Sequence, residues 1–431
     1  MFLIYADQLT PRLEYVLHLW FGELLHQPYR CTTDVQEFIH ADAIKINYSR
    51  QPIDQGLTVL PHGLLQETGV RPLQPEAAFS NGTCRLFTDA AGGYDPFAAT
   101  FFLVTRYEEY LPHEKDRHGR FPDEANTLVK LKAAHRPVVQ DYVGDVLHRL
   151  AQRYRHVPLT VPPFRLLLTY DVDLAFAYLH RPWWRTAAAY ARSLLQGDLA
   201  DVALRSKVLS GKAPDPFDTF AFQRSLHQQY GLPAVYFFLL ADYGRYHKNV
   251  SWTNVALQQL IRKLRADAEV GLHAGYSAGF DGSVLHKERQ RLQYILDEPP
   301  MANRFHFLRM KLPESYRLLL QQGFSEDYSL GFTTRTGFRA GMAQPFTWYD
   351  VENESHTALI IHPMALMDAT LYYHLQCNEQ EVLHHSMDLV KTIKQTGGEL
   401  QLLLHNDLLS GHNRWKTWPQ TLSLLLQKAL T

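Results

Sequence analysis

From residue 164 onward, short apolar runs recur, and several stop at a polar side chain capable of chemistry. Arg165–Thr169 runs into Asp171-Val-Asp173, Pro233–Leu240 ends at Asp242, and Glu269–Leu272 stops at His273. Phe305–Leu308 carries His306 and stops at Arg309, and Phe324 leads to Glu326-Asp327-Tyr328. Ala358–Ile361 reaches His362 and then Asp368, and Glu399–Leu404 stops at His405-Asn406-Asp407. Apolar runs this short, bounded by polar residues, predict buried strands. Between them, apolar positions at helical spacing predict helices over Thr219–Tyr230, Thr253–Ala266, Val284–Asp297, Pro313–Gln322 and Glu379–Gln395, the first behind an N-cap at Asp218. About seven strands alternating with helices predict an α/β fold, a distorted (β/α) barrel over residues 164–431. In such barrels chemistry sits at the C-terminal ends of the strands, and the Asp and His residues fall there.

The chain before residue 157 has a different pattern. Phe2–Tyr5 predicts a strand and Pro11–Gly22 a helix with apolar positions at Leu13, Val16, Leu17 and Trp20. Asp95–Tyr110 predicts a mostly apolar helix, and Leu128–Tyr154 a helical region interrupted at Pro137. A Pro-rich connector, Val157-Pro-Leu-Thr-Val-Pro162-Pro163, separates the two patterns. The expected organisation is a smaller α/β domain of unknown role over residues 1–156, followed by the barrel.

Composition narrows the partners. The chain has 431 residues, 46% hydrophobic and 20% charged, as expected of a packed globular protein. Its net charge is −1, without the basic surplus of a nucleic-acid or anionic-membrane binder. No run approaches the roughly 18 apolar residues of a membrane span. The N-terminal Met1-Phe-Leu-Ile-Tyr5 has no basic region ahead of an apolar core, so it predicts a strand and not a signal peptide. Cys31, Cys84 and Cys377 lie far apart and fit a reducing compartment. A cytoplasmic location is the expectation.

Asp171 and Asp173 are the strongest local signal. Residues two apart on a strand share a face, and two converging carboxylates repel unless a cation or a shared proton relieves them. One as metal ligand and the other as general base is a natural arrangement, against the plain alternative of a helix cap and a solvated side chain. His273, at a strand end before a Gly/Ser-containing loop, suits Zn²⁺ or a similar metal, or a hydrogen bond at the loop entry. Arg304 and His306 would share a strand face with Arg309 near its end, either as site residues or as a salt-bridged edge. His405, with carboxylates nearby, is a candidate proton donor.

These residues, in this order, resemble the polysaccharide deacetylase family, whose catalytic domain is the NodB homology domain, over roughly residues 164–410. Thr169-Tyr-Asp171-Val-Asp173 is similar to the first motif, which implies Asp171 as base and Asp173 as metal ligand. Gly271-Leu-His273 resembles the second, with His273 a metal ligand. Phe307-Leu-Arg309 with Pro313 and Gly323-Phe324 resembles the third, whose Arg309 would orient the base. Asp327-Tyr328 resembles the fourth, and Leu402-Leu-Leu-His405 the fifth, with His405 as general acid. Further similarity to a bacterial branch with an N-terminal α/β domain lies in Tyr94-Asp-Pro-Phe97, Arg106-Tyr-Glu-Glu-Tyr110, Asp215-Pro-Phe-Asp218-Thr-Phe220, Gly337-Phe-Arg339-Ala-Gly341 and Met367-Asp368. Arg339, on its Gly-flanked loop, meets either an anionic substrate group or a structural carboxylate.

The resemblance implies a divalent metal, zinc first, and removal of an acetyl group from an amino-sugar glycan or glycoconjugate. One position departs from the pattern: the family's second metal histidine falls at Ser277. Either His306 or another histidine completes the site, or Ser277 and water do, or the site is empty and the barrel binds a glycan or protein partner without turnover. A barrel glycosidase ranks lower, because Asp171 and Asp173 share one strand and a glycosidic bond must be flanked from two sides.

Overall fold

The computed structural model describes residues 1–431 apart from residue 81 and residues 159–161 and 412–414. Part of the Pro-rich connector therefore lies outside the described residues. The N-terminal region opens with β1 (Phe2–Ala6), buried at every position, in a parallel four-stranded sheet with β2 (Tyr29–Thr32), β3 (Ile44–Tyr48) and β4 (Leu57–Thr58), ordered β2-β1-β3-β4. A hairpin of β5 (Ala77–Ser80) and β6 (Thr83–Leu86) follows. The predicted helix at 11–22 forms as an α-helix over Pro11–Leu17, capped by the Thr10 side chain, and widens into a π-helix over His18–Leu24. The helix Pro96–Val104 is buried along its whole length, with the Asp95 carboxylate accepting from the Phe97 and Ala98 N–H groups. It ends at Arg106, whose left-handed backbone (φ 55°) turns the chain into a short 3₁₀ segment, Tyr107–Tyr110.

The second sheet has nine strands: β7 (Phe164–Val172), β8 (Ala234–Leu239), β9 (Glu269–Ala274), β10 (Ala302–Phe305), β11 (Glu326–Asp327), β12 (Phe346–Asp350), β13 (Ser355–Ile361), β14 (Leu366–Met367) and β15 (Gly398–His405). Their order is β12-β13-β11-β10-β9-β8-β7-β15-β14, and only the β12–β13 pair is antiparallel. The sequence pattern shows about seven of these; β12 and the two-residue β14 are additions. Among the described residues no ladder joins β12 to β14, so the sheet is an open barrel. It is nevertheless strongly curled. β7 and β10 are three steps apart, roughly 14 Å in a flat sheet, yet Arg304 on β10 hydrogen-bonds Asp171 on β7 at 2.7 Å.

Alternation along β7 explains both faces. Leu166, Leu168, Tyr170 and Val172 point outward into the main apolar core, under the helices. Leu167 joins Val235, Phe237, Ala302 and Tyr328 in a small cluster filling the inside of the curl, and Thr169 and Asp171 continue that inner face to the strand's end. The main core runs without a break through residues of both the N-terminal region and the nine-stranded sheet. No helix among the described residues is long and apolar enough to cross a membrane.

Candidate active site

Four strand ends converge on a cavity of about 270 Å³ lined by Asp171, Asp173, His273, His306, His405 and Asp407, with Phe305, Phe307, Leu308, Met367, Leu403 and Leu408 as apolar walls. Asp171 and His405 are register partners on the adjacent strands β7 and β15, which sets them at the same height. Arg304 and His273 are register partners on β10 and β9.

Asp173, His273 and His306 form one cluster. Asp173 Oδ1 lies 3.2 Å from His273 Nε2, and Asp173 Oδ2 lies 3.4 Å from His306 Nε2. Their ligand atoms all fall within 4.8 Å of one another. Ligands about 2.0–2.1 Å from a tetrahedral Zn²⁺ stand roughly 3.3–3.5 Å apart, close to the two Asp173–His distances, each to a different carboxylate oxygen. The second contacts also fit. His273 Nδ1 is 2.9 Å from the Arg304 carbonyl, which fixes its proton there and turns the Nε2 lone pair toward the carboxylates. Burial opposes charge on His273, yet Asp171 and Asp173 raise its pKa overall. Burial pushes the Asp173 carboxyl up, but the His306 and His273 imidazoles outweigh it and hold it well below the usual carboxylate range. A field that draws a proton into this cluster also favours a cation.

His306 gets there by a sharp reversal. β10 ends at Phe305, and a 3₁₀ turn follows in which Phe307 and Leu308 have positive φ (62° and 49°). The expectation of a strand through Leu308 is thus corrected: two non-glycine residues in the left-handed region break it and swing His306 inward. The reversal is braced from the N-terminal region. Arg120, held by Asp116, donates from Nη1 to the Phe307 carbonyl at 2.5 Å and lines the cavity.

Asp171 is held differently. Its Oδ1 accepts from Arg304 Nη1 at 2.7 Å, while Arg304 also donates to Thr169 Oγ1 (2.9 Å) and the Tyr328 carbonyl (3.0 Å). Arg304 is fully buried and packs over the Phe237 ring. Asp171 Oδ2 stays beside the cluster, 3.5 Å from His273 Nε2. Across the cavity, the Asp368 carboxylate grips His405 twice, at its backbone N–H (2.7 Å) and at Nδ1 (2.6 Å). Burial disfavours charge on this imidazole, but Asp368, with Asp171 and Asp173 behind it, raises its pKa to about 10.

Several sequence expectations are corrected. Arg309 does not reach Asp171; it donates to the His118 and Tyr276 carbonyls and packs over Tyr276 and Phe280, with Arg304 taking the place beside the carboxylate. Ser277 is exposed in the turn after β9 and lies outside the ligand cluster, which His306 completes. Asp327 is buried away from the cavity, fixed by Ser329 and Asn303, and burial raises its pKa. Arg339 meets Glu109 at 2.7 Å in a buried seam where Arg106 also pairs with Glu109, so it faces no substrate. Among nearby aromatic residues, Tyr328 and Trp348 are core residues and Tyr276 stacks on Tyr246.

The remaining family-like segments find structural roles. Asp215 accepts from the Ala177, Tyr178 and Leu179 N–H groups and fixes the loop after β7. Gly337 (φ 121°) brings its backbone against Ala134, where a Cβ would come within 2.3 Å of the Ala134 carbonyl oxygen. Gly275, just past His273, has no room for a Cβ against Ala241 and Glu288, whose carboxylate accepts the Gly275 N–H at 2.7 Å. Asp368 carries no role in the sequence reading, because β14, which ends just before it, is too short to show a pattern.

Residues 2–155 match a protein-family model described as a family of unknown function (DUF7033). No curated protein matches the chain. Among solved structures it is similar to a protein assigned as a polysaccharide deacetylase from Mycobacterium smegmatis, at 16% identity over 63% of this chain and 85% of that one, with a TM-score of 0.41. It is also similar to Puue allantoinase (13%, 62% and 84%, TM-score 0.40). A third is a protein assigned as a polysaccharide deacetylase from Pseudomonas aeruginosa PAO1 (14%, 62% and 84%, TM-score 0.37). At these scores the overlap carries no argument, and the reading of function rests on the geometry above.

Proposed function

We propose that the chain is a hydrolase that removes an acetyl group from an amino sugar of a polysaccharide or glycoconjugate, with a divalent cation, zinc first, held by Asp173, His273 and His306. One observation carries this reading. A carboxylate locked by a buried arginine, a three-ligand cluster, and an imidazole gripped by a second carboxylate all face one small cavity. A cation bound there would supply Lewis-acid polarisation of the amide carbonyl and of the attacking water.

The chain's own groups do the rest. Asp171 accepts the proton of the water that adds to the carbonyl carbon, and Arg304 holds its carboxylate in place by the bond to Oδ1. His405, charged at neutral pH because Asp368 raises its pKa, donates a proton to the amine nitrogen as the C–N bond breaks. Acetate and a free amine leave. The cavity is smaller than the roughly 300–1,000 Å³ of most ligand clefts, which suits a single sugar ring or a chain end. His306 in the cluster supports turnover over an inert barrel, the alternative that Ser277 raised.

The test is acetate release from a panel of N-acetylated sugars and oligosaccharides by zinc-loaded protein, beside the Asp171→Asn variant. Release by the parent, and its loss in a variant that still binds one zinc, supports the reading. Protein that binds no zinc at saturation and releases no acetate overturns it.

A further inference from the structure

The connection from β7 to β8 carries a helical hairpin that packs with its polarity reversed. Its helices are Trp183–Leu195 and Leu199–Leu209. On the first, Trp184, Ala188, Ala191 and Leu195 fall at i, i+4, i+7 and i+11, a continuous apolar stripe, and all four are exposed. Trp183 (81% exposed) and Leu194 (56%) flank the stripe, and Leu195 is 89% exposed. The side turned toward the partner helix is polar. Tyr190 bonds Ser206, and Ser193 bonds Asp201, which also pairs with Arg205. A surface helix ordinarily buries its apolar stripe and exposes its polar one. This one does the opposite.

Charge indicates what covers the stripe. The first helix has no acidic residue, and residues 181–212 hold six Lys and Arg against two Asp, a surplus of four in a chain of net charge −1. At the hairpin's root lies an open cleft of about 1030 Å³ lined by Arg181, Arg185, Trp184, Tyr243 and Trp252, and by Asp242, whose carboxylate is paired with Lys287 and Arg291. Arg181 Nε is buried there without a hydrogen-bond partner, and Lys248 and Arg185 both lie over the Tyr243 ring. A second copy of the chain explains this less well. A 13-residue helix is about 20 Å long and 10 Å wide. Two such faces would bury on the order of 400 Å², against the roughly 1,200 Å² of a stable interface. Adjacent tryptophans, an Ala/Leu stripe and flanking basic residues instead match a helix lying in a bilayer interface.

We propose that residues 181–212 dock this protein on an anionic bilayer surface. The stripe from Trp184 to Leu195 enters the acyl boundary, Trp183 sits at headgroup level, and the Arg181–Arg185 cleft takes lipid phosphates. This inference stands on the hairpin alone and does not depend on the hydrolase reading.

Sedimentation of the full chain with vesicles tests it, using phosphatidylcholine alone and with about 30% phosphatidylglycerol, at about 0.1 M salt. The expected result is binding to the anionic vesicles and roughly ten-fold less to the neutral ones. Leu195→Glu removes the apolar contact and Arg192→Glu with Lys207→Glu reverses the charge; either change abolishes binding while the far-UV spectrum and melting temperature stay at parent values. Because these side chains are exposed, loss of fold is not expected, and the two variants check each other. Absence of vesicle binding by the parent overturns the proposal. So does a soluble dimer that Leu195→Glu dissociates while vesicle binding is unchanged.

Discussion

Two buried arginine–carboxylate pairs in this molecule look alike and differ in what surrounds them. Arg304 with Asp171 and Arg339 with Glu109 each form a 2.7 Å bond, with all four side chains at most 4% exposed. At the seam, one oxygen of Glu109 receives both Arg106 and Arg339, and those guanidinium groups spend further donors on Glu108 and on the Arg339 and Gly331 carbonyls. Burial pushes Glu109 up, but the two arginines hold its pKa below the ordinary value. Arg106, Glu108, Glu109 and Arg339 leave no buried side-chain polar atom without a partner. In the site, Arg304 takes one oxygen of Asp171 and leaves the other beside a cluster in which Asp173 Oδ1 and His306 Nδ1 lack hydrogen-bond partners. Burial and ion pairing occur in both places; only an unfinished set of polar atoms facing a cavity marks chemistry.

Five substitutions probe this contrast. Asp171→Asn keeps the shape of the site but removes the proposed base, and kcat falls by about 10²–10⁴-fold with zinc content unchanged. His306→Ala removes a ligand, and zinc affinity, followed by competition with a chelating dye, falls at least about 100-fold. Arg339→Met leaves Glu109 with one arginine fewer and costs about 3–5 kcal/mol in urea unfolding, while kcat per folded molecule stays at the parent value. Arg304→Met at the other pair lowers stability and kcat together, and an equal kcat effect of the two changes would erase the distinction. Asp368→Asn has the smallest effect at neutral pH. It lets the His405 pKa fall from about 10 toward an ordinary imidazole value, so the alkaline limb of the kcat profile moves to lower pH. The same shift appears in stability. A raised folded-state pKa stabilises the protein below the free value near 6.5, and that contribution is lost as pH rises toward 10; Asp368→Asn flattens this slope.

The sequence made the strand-end residues legible because each terminates an apolar run: Asp171, Asp173, His273 and His405 all line the cavity. It misassigned the arginine because spacing was matched past the true end of β10. Arg304 carried its own signal, a charged residue at an inward position of a buried strand, two before a histidine. Ser277 drew attention to a gap that His306 fills, and only backbone geometry brings it there, since positive φ at Phe307 and Leu308 has no glycine to announce it. Asp368 and the seam around Arg339 depend on contacts across long separations, which periodicity does not report. The reversed hairpin was invisible for the opposite reason: its pattern is an ordinary amphipathic one, and only the fold reveals which side faces water.

The brace on His306 sets a limit on dissection. Arg120 reaches the Phe307 carbonyl across 187 positions of sequence, and Arg309 closes the same corner onto the His118 carbonyl. A polypeptide begun at the connector would retain Asp171, Asp173, His273, His306 and His405, yet His306 would sit on an unsupported kink. For transplantation or trimming, the segment around residues 116–120 therefore belongs with the nine-stranded sheet.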